Sequence, residues 1–338
     1  MNHAPLVSVL MPVFNAEKYL REAIESILNQ TFADFEFLIL NDGSTDGSKE
    51  IILSYADTRI RYVENENNLG VVKTANKGIH LSRGKYIFRM DADDISLPRR
   101  LEKQYRFMEQ HPDIGMCSSW AQVINENGNV TGKIIQQTQP EFVRIHLLFS
   151  VALLQPICCF RTDILKQNPY QKEPVTEDYE LWCRLSDSIR MVNLPEFLLQ
   201  YRWHETNISK EKEQIMEQNK QQIIRDELQK LNLYPTDAEM RIHTLSFSLY
   251  GFNRTKGESL NKSTDWSETE HWFKRLIAAN DQIKRYNPDA FIAYLWSRWI
   301  VLCLKWGEKK KILCPSFADF RPKVWYYLLQ QIGLLAKK

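Results

Sequence analysis

The sequence has no glycine-rich phosphate-binding loop. Neither G-x-G-x-x-G nor G-x-x-x-x-G-K-[ST] occurs, and only 12 of the 338 residues are glycine. This absence argues against a dinucleotide-dependent dehydrogenase and against a P-loop NTPase. The six cysteines contain no C-x-x-C pair of zinc-binding spacing, so the adjacent Cys158 and Cys159 are interpreted as small buried apolar residues. No apolar run reaches the ~18 uninterrupted residues of a membrane-spanning helix.

Net charge is also low, at +2, which argues against a dedicated nucleic-acid binder. The small total hides an uneven distribution. Residues 1–209 contain 22 Lys and Arg against 27 Asp and Glu, residues 210–289 contain 13 against 13, and residues 290–338 contain 9 against 2. The last segment is therefore a basic end, and such asymmetry can mark an interaction tail.

The first residues show neither the basic nor the apolar part of a signal peptide, because Met1 to Pro5 carry no cluster of either kind. With cysteines that suggest no disulfide framework, we expect a reducing, cytoplasmic location. The oligomeric state is left open.

Apolar runs alternate with helical patterns over the first 120 residues. Strands are expected at Leu6–Phe14, Phe35–Leu40, Ile60–Val63 and Lys85–Met90, each followed by a helix with an apolar stripe. Such alternation indicates βαβ units and a mostly parallel, Rossmann-like α/β sheet flanked by helices. We expect a catalytic domain over residues 1–209 and a helical C-terminal region over residues 210–338.

Ligands of an open parallel sheet bind at the carboxyl ends of its strands. Polar residues collect there, above all in Asp91-Ala92-Asp93-Asp94 after the fourth strand. Three carboxylates in four residues repel one another unless a cation neutralises them, and oxygen ligands suit Mg²⁺ or Mn²⁺ bound to a substrate phosphate. The alternative is a simple turn and helix cap before Pro98. Asp42, after the second strand, is a candidate acceptor for a base or ribose donor.

Four segments together resemble the nucleotide-sugar-binding half of family 2 glycosyltransferases. They are VLMPVFN at 9–15, NDGSTD at 41–46, NLGVVKTANKGIHLSRG at 68–84 and DADD at 91–94. TEDYELW at 176–182 resembles the acceptor-side motif of that family, and YRWH at 201–204 follows it. The resemblance covers roughly residues 5–210 and implies the GT-A fold, with bacterial cell-surface polysaccharides as the product class.

The resemblance also implies roles for individual residues. Asp178 would be the catalytic base with Glu177 beside it, and Asp93 would hold the metal, with His204 as a further metal or diphosphate contact. The donor, expected to be a UDP-sugar, would be bound by Pro12, Phe14, Asn15, Asp42, Lys73, Asp91 and Ala92. Asp178 also fits the first turn of an amphipathic helix, His204 an ordinary partly buried histidine, and Lys73 a solvated helix residue. Trp182 and Trp203 suit the core better than a sugar platform.

The chemistry needs only these groups. A cation stabilises the diphosphate leaving group, and one carboxylate removes the proton of an attacking hydroxyl of a glycan or lipid-linked acceptor. A single base without a carboxylate nucleophile predicts inversion at the anomeric carbon. One alternative is a non-catalytic sugar-nucleotide sensor or scaffold of a polysaccharide assembly complex. The other is a sugar nucleotidyltransferase, which would need a basic, glycine-rich loop where Asn15-Ala16-Glu17-Lys18 stands.

The basic end is also aromatic: six of the nine tryptophans follow residue 265. Basic residues beside aromatic, amphipathic helices suit the anionic inner face of a membrane, so residues 290–338 are a candidate peripheral membrane surface. The other interpretation is a helical subdomain that packs these aromatics against protein, either its own core or a second subunit.

Overall fold

The computed structural model describes residues 4–171, 175–204, 207, 212–245, 266–305, 308–312, 315–319 and 321–335. These residues form two compact units. The first contains the described residues of Met1–Pro140 and Leu153–Met216, and the second those of Glu141–Ala152 and Glu217–Lys338. The expected boundary between residues 209 and 210 lies outside the described residues.

One nine-stranded sheet forms the centre of the first unit. Its strands are β1 (Val7–Val13), β2 (Phe35–Asn41), β3 (Ile60–Glu64), β4 (Tyr86–Arg89), β5 (Ile95–Ser96), β6 (Ile114–Ile124), β7 (Val130–Ile134), β8 (Cys159–Arg161) and β9 (Arg190–Arg202). They lie in the order β3-β2-β1-β4-β8-β6-β9-β5, with β7 paired to β6. Six strands run in one direction, and β5, β7 and β8 oppose them. The mostly parallel α/β fold predicted from the sequence is confirmed.

Twelve helices occur in the described residues. They are α1 (Glu17–Leu28), α2 (Ser48–Leu53), α3 (Val71–Leu81), α4 (Arg100–Gln110), α5 (Pro140–Leu147), α6 (Thr162–Gln167), α7 (Glu177–Leu185), α8 (Glu213–Gln229), α9 (Asp237–Leu245), α10 (Trp266–Ile283), α11 (Pro288–Lys305) and α12 (Pro322–Leu335). Helix α3 packs closely on the sheet because Gly78 has no side chain. A Cβ atom there would lie 2.1 Å from Leu10 Cδ1.

The sheet has its switch point beside β1, which pairs with β2 on one side and with β4 on the other. The chain order reverses there, and this arrangement opens a crevice at the carboxyl ends of the two inner strands. The loop after β1 and the DADD loop after β4 therefore meet at the place where an α/β sheet binds its ligand.

The apolar patterns of Gln155–Phe160 and Arg190–Leu194 each predict a strand, and the structure corrects both predictions. The apolar stretch Gln155–Phe160 is a 3₁₀ turn at Gln155–Ile157 followed by the short strand β8. Strand β9 does not end at Leu194 but continues to Arg202, because a bulge absorbs the next two residues: Ser119 pairs with Leu194, and Trp120 pairs with Phe197. Pro195 lacks the N–H that a regular ladder requires, and a bulge tolerates this.

The second unit is helical, and its core consists largely of aromatic side chains. The α11 residues Phe291, Tyr294, Trp296 and Trp299 are all at most 2% exposed. Both indoles donate to backbone carbonyls of the following turn, Trp296 to Ile312 at 3.2 Å and Trp299 to Lys311 at 2.8 Å. Within the described part of the chain, no helix combines the length and apolar character needed to cross a bilayer.

A buried carboxylate ties the amino-terminal edge of the sheet together. Glu36 on β2 is 3% exposed and accepts hydrogen bonds from Ser8, from Arg61 at 2.7 Å and from Arg83, whose backbone N–H lies at 2.7 Å and Nε at 2.8 Å. Desolvation raises the pKa of this carboxyl, but hydrogen bonds from Ser8, Arg61 and Arg83 outweigh it and hold the pKa below its usual range.

We expect Glu36→Gln to lower the free energy of unfolding by about 2 kcal/mol at neutral pH, because the charged hydrogen bonds are lost. The folded-state pKa is depressed, so this stability is present above the unfolded-state pKa and is lost as pH falls through the folded-state value. Urea unfolding at pH 7 and at about pH 4 should show the difference from wild type shrinking in acid. Glu109→Gln, in an exposed pair with Lys85, is the matched control and should cost under about 1 kcal/mol.

Candidate active site

The loops after β1 and β2 are joined by a row of hydrogen bonds. Five of these bonds are Asn15 N to Ser44 Oγ at 3.0 Å, Thr45 N to Asn15 Oδ1 at 2.8 Å, Ala16 N to Ser48 Oγ at 2.9 Å, Glu17 N to Asp46 Oδ2 at 3.0 Å and Gly47 N to Glu17 Oε2 at 2.7 Å. Asn15 has a positive φ of 48°, a conformation that asparagine tolerates better than most residues. The side-chain oxygen of Asn15, an expected donor contact, therefore already accepts a hydrogen bond from the loop after β2.

Asp42 is similarly engaged. Its side chain is almost completely buried, and Oδ1 accepts from Asn65 Nδ2 at 2.8 Å and from the backbone N–H of Leu69 at 2.9 Å. Oδ2 accepts from the N–H of Gly70 at 3.0 Å. The carboxylate therefore fixes the loop between β3 and α3, and any contact with a nucleobase would use its remaining lone pairs.

Two of the other expected donor contacts lie at the surface. Phe14, directly after β1, is 47% exposed, which is unusual for a phenylalanine and leaves its ring accessible to a flat ligand. Pro12 is half-buried, and Lys73 on α3 is exposed.

Lys77, one turn further along α3 and not singled out from the sequence, donates from Nζ to Asn65 Oδ1 at 2.6 Å. The lysine that joins the Asp42 network is therefore Lys77.

The DADD loop brings the expected metal ligand and the expected histidine together. His204 Nε2 lies 2.9 Å from Asp93 Oδ2, and His204 is 9% exposed whereas Asp93 is 27% exposed. Asp91 lies 3.5 Å from the buried guanidinium of Arg89, and Ala92 is half-buried. Desolvation raises the pKa of Asp91 to about 6, an effect that Arg89 opposes and that the charges of Asp93 and Glu177 increase.

Arg202, at the end of β9, joins the DADD loop to helix α1 and to the turn after β6. It is 1% exposed. Its backbone N–H donates to Asp94 Oδ1 at 2.8 Å, Nε to the Asp93 carbonyl at 2.8 Å, Nη1 to the carbonyls of Asn125 at 3.3 Å and Glu126 at 3.2 Å, and Nη2 to Glu22 Oε2 at 2.5 Å. Its guanidinium also lies 4.4 Å from the ring centre of Tyr19. Arg202 thus holds the backbone of the expected metal ligand against α1 and the turn after β6.

A divalent cation fits this corner only as part of a substrate complex. No group of three or more His, Cys, Asp or Glu side chains converges within the described residues. Asp93 and His204 supply one carboxylate and one imidazole, and Mg²⁺ and Mn²⁺ commonly complete such a partial site with substrate phosphates and water. The residues present therefore fit a metal that arrives with a diphosphate.

The expected base stands in the first turn of α7. Asp178 Oδ1 accepts from the N–H of Tyr179 at 2.7 Å, and the side chain is partly exposed. Glu177 is 8% exposed, and its Oε2 accepts from the N–H of Val175 at 2.8 Å. Acidic residues are common in the first turn of a helix, because the helix dipole favours negative charge there.

Helix α7 packs on β8 through Trp182 and Phe160, and Phe160 pairs with Ile87 of β4, so α7 lies on the part of the sheet from which the DADD loop emerges. In addition to burial, the charge of Glu177 also contributes to the raised pKa of Asp91.

The aromatic residue of the same motif belongs to the core. Trp182 is completely buried and stacks on Phe160, with ring centres 5.5 Å apart. The interpretation of Trp182 as a core residue is therefore confirmed. Cys158 and Cys159 are likewise buried and unbonded to each other, as are the other described cysteines, Cys117, Cys183 and Cys303.

A mostly parallel sheet with carboxylates at its switch point and no glycine-rich phosphate loop has the architecture of the GT-A nucleotide-sugar transferases. The sequence profile of Glycosyl transferase family 2 matches residues 8–171. The chain belongs to glycosyltransferase family 2, and its activity is glycosyl transfer.

Individual proteins agree with this assignment. WbnJ of Escherichia coli, an O-antigen biosynthesis glycosyltransferase, is 37% identical over 213 residues, which are 61% of this chain and 82% of WbnJ. WfgD of Escherichia coli, a UDP-Glc:α-D-GlcNAc-diphosphoundecaprenol β-1,3-glucosyltransferase, is 29% identical over 210 residues, 61% of this chain and 81% of WfgD. The crystal structure of S. aureus TarS 1–349 in complex with UDP-GlcNAc has the same fold, with a TM-score of 0.56 over 90% of each chain at 20% identity.

Proposed function

We propose that the protein transfers a sugar from a UDP-sugar to a hydroxyl of a glycan or lipid-linked acceptor in cell-surface polysaccharide synthesis. The observation that carries the proposal is the placement of Asp178 in the helix turn beside the DADD loop at the switch point. A UDP donor is supported by two similar proteins, since WfgD is a UDP-Glc-dependent glucosyltransferase and the TarS crystal contains UDP-GlcNAc. An O-antigen-like product is supported by WbnJ, which acts in O-antigen biosynthesis.

In this proposal Asp178 is the general base. It accepts the proton of the acceptor hydroxyl as that oxygen bonds to the anomeric carbon, and the carbon–oxygen bond to the diphosphate breaks with its electron pair leaving on the nucleotide. Each of the two carboxylates already accepts one backbone N–H, but Glu177 is only 8% exposed whereas Asp178 is partly exposed, so Asp178 is the more accessible base. One displacement on the face opposite the leaving group inverts the anomeric configuration.

Asp93 and His204 would hold the cation on the diphosphate, where it would stabilise the charge of the leaving group as a Lewis acid. A mixed carboxylate and imidazole pair favours Mn²⁺ over Mg²⁺, because imidazole binds Mg²⁺ poorly. Asp91 would face the ribose and sugar, and Arg202 would keep the Asp93 backbone in place through its 2.8 Å bond to the carbonyl.

The base and ribose would lie against the exposed wall after β1. Phe14 and Pro12 offer apolar area there, while Ala92 lies in the DADD loop opposite. Asn15 and Asp42 would shape this wall by fixing its loops, with Asp42 also available as an acceptor through its remaining lone pairs. Lys73, exposed on α3, would approach the diphosphate or base from solvent.

A lipid-linked acceptor would lie at the inner face of the cytoplasmic membrane. We propose that the basic end of the chain, residues 290–338, contacts this membrane surface. The whole molecule is nearly neutral, with a net charge of +2. Residues 290–338 nevertheless contain 9 Lys and Arg against 2 Asp and Glu, and this local excess of cations would attract an anionic surface.

A donor screen tests the proposal. Thermal shift with UDP, GDP and CDP, each with and without Mn²⁺, should single out UDP plus Mn²⁺ as the combination that stabilises the protein most. Mass spectrometry of reactions with UDP-sugars and lipid-diphosphate acceptors should then detect a product one sugar heavier. Binding without any product across the panel would favour the non-catalytic sensor, and no stabilisation by any nucleotide would contradict the proposal.

A further inference from the structure

Helix α12 shows apolar side chains on two faces. Val324 and Leu328 point inward and are at most 1% exposed. Tyr326, Leu329 and Ile332 lie on the other face and are 61%, 62% and 38% exposed. Helical neighbours stand three or four positions apart, so these three side chains form one stripe, called here the α12 stripe. Solvent exposure of a contiguous apolar stripe is uncommon unless the stripe contacts something.

The other apolar segment of the basic end does not share this exposure. The aromatics Phe291, Tyr294, Trp296 and Trp299 of α11 are buried inside the second unit, so the described part of this helix contributes mainly core, with Leu304 as a single strongly exposed apolar side chain at 55%. Of the region first considered for membrane contact, only α12 presents a row of apolar side chains to solvent among the described residues.

The segment that carries the α12 stripe has only cationic charges in its sequence, and the acidic side chains near it in space come from other segments: Asp289 and Asp319 pair with Arg321, and burial together with Glu141 and Asp289 raises the pKa of Tyr327. Residues 321–338 contain Arg321, Lys323, Lys337 and Lys338 and no Asp or Glu. Lys323 is exposed and precedes Tyr326 by three positions, so it lies on the same face as the stripe. Arg321 is paired with Asp319 and Asp289, which leaves Lys323 as the cation nearest the stripe in sequence. Lys337 and Lys338 lie outside the described residues.

We propose that α12 docks on an anionic lipid surface. Tyr326, Leu329 and Ile332 enter the boundary between headgroups and acyl chains, and Lys323 contacts the negative headgroups. An amphipathic helix with an aromatic residue on its apolar face and lysine beside it has the composition of interfacial helices. The proposal deepens the proposed function, since a lipid-linked acceptor would then lie in the same surface that the enzyme binds.

Other occupants fit less well. A second copy docked through the same face would bring two Lys323 side chains together, and three apolar side chains are far fewer than the ~20–30 residues per partner of a stable interface. Insertion across the bilayer is excluded by length, because the 14 residues of α12 span only about 21 Å, against about 30 Å of hydrocarbon.

Flotation of the full chain with lipid vesicles tests the proposal. Wild type should float with vesicles of phosphatidylcholine and phosphatidylglycerol, float poorly with phosphatidylcholine alone, and lose binding as salt is raised. Leu329→Glu should weaken binding at least about tenfold, and Lys323→Gln about fivefold. Leu53→Glu is the matched control, because Leu53 on α2 is 57% exposed, and it should float as wild type does.

Absence of wild-type flotation with anionic vesicles overturns the proposal, as does an equal loss in Leu53→Glu and Leu329→Glu. So does size-exclusion chromatography that shows a wild-type dimer abolished by Leu329→Glu, which would assign the α12 stripe to a second copy. Lys323→Gln keeps the test decisive if the glutamate variant misfolds. Calorimetric titration with UDP and Mn²⁺ is run in parallel on every variant. Failure to bind UDP refutes the proposed function but does not affect the vesicle result. Failure to bind vesicles refutes the membrane proposal but does not affect the proposed function.

Discussion

Asp178→Asn should lower kcat by about 10²–10⁴-fold, because the acceptor hydroxyl loses the group that we propose removes its proton. Asparagine keeps the size of the side chain and an oxygen that can accept from the N–H of Tyr179, so the first turn of α7 should keep its structure. Affinity for UDP and Mn²⁺, measured by calorimetry, should stay within about twofold of wild type, since the base contacts the acceptor side of the reaction.

Two variants on the same helix are the controls for the Asp178 experiment. Glu180→Gln removes a carboxylate that pairs with Arg184 at 2.9 Å, and it should keep nearly full activity. Glu177→Gln removes the buried neighbour of Asp178 and should affect stability more than the acceptor step. If Glu177→Gln abolishes transfer while Asp178→Asn does not, the base is Glu177. Normal turnover in both variants would show that neither carboxylate of α7 acts as the catalytic base.

Asp93→Asn should raise the Mn²⁺ concentration needed for half-maximal turnover by at least tenfold and lower kcat at saturating Mn²⁺ by about 10²-fold or more. The amide replaces an anionic ligand of the cation by a neutral one, while the backbone carbonyl still accepts from Arg202. Turnover measured across a Mn²⁺ series separates the two effects, and UDP titrated with and without Mn²⁺ shows whether the metal-dependent part of binding has gone.

Asp113→Asn serves as the control for Asp93→Asn, because Asp113 is an exposed aspartate paired with Arg190. Its Mn²⁺ dependence should match wild type. An unchanged half-saturating concentration in Asp93→Asn would show that the cation, if used, is held by other groups.

Much of the first unit could be predicted from the sequence, since strands buried on both faces are continuous apolar runs and their order along the chain was regular. The gathering of Asp42, Asp91 and Asp93 at one sheet edge followed from the rule that parallel strands end together. The bulge at Pro195 could not be predicted, because a proline in a strand pattern is equally consistent with the end of the strand.

The partners of these site residues were beyond sequence reasoning. Arg202 contacts the DADD loop from more than 100 positions away, and only the folded sheet brings the end of β9 to the end of β4. The choice between Lys73 and Lys77 depends on helical side chains leaning back toward the helix N-terminus, which lets the later lysine reach Asn65. Nothing in the spacing showed that backbone N–H groups already occupy both oxygens of Asp42.

The row of hydrogen bonds between the loops after β1 and β2 affects how donor recognition can be measured. Loops already held together would lose little conformational entropy on binding a nucleotide at the proposed position, so this wall would act as a rigid template. Differences in affinity between uridine, cytidine and guanosine diphosphates would then report the contacts of each base directly. The nucleotide preference of this enzyme should accordingly change by replacing side chains along the wall, with the loop backbones left as they are.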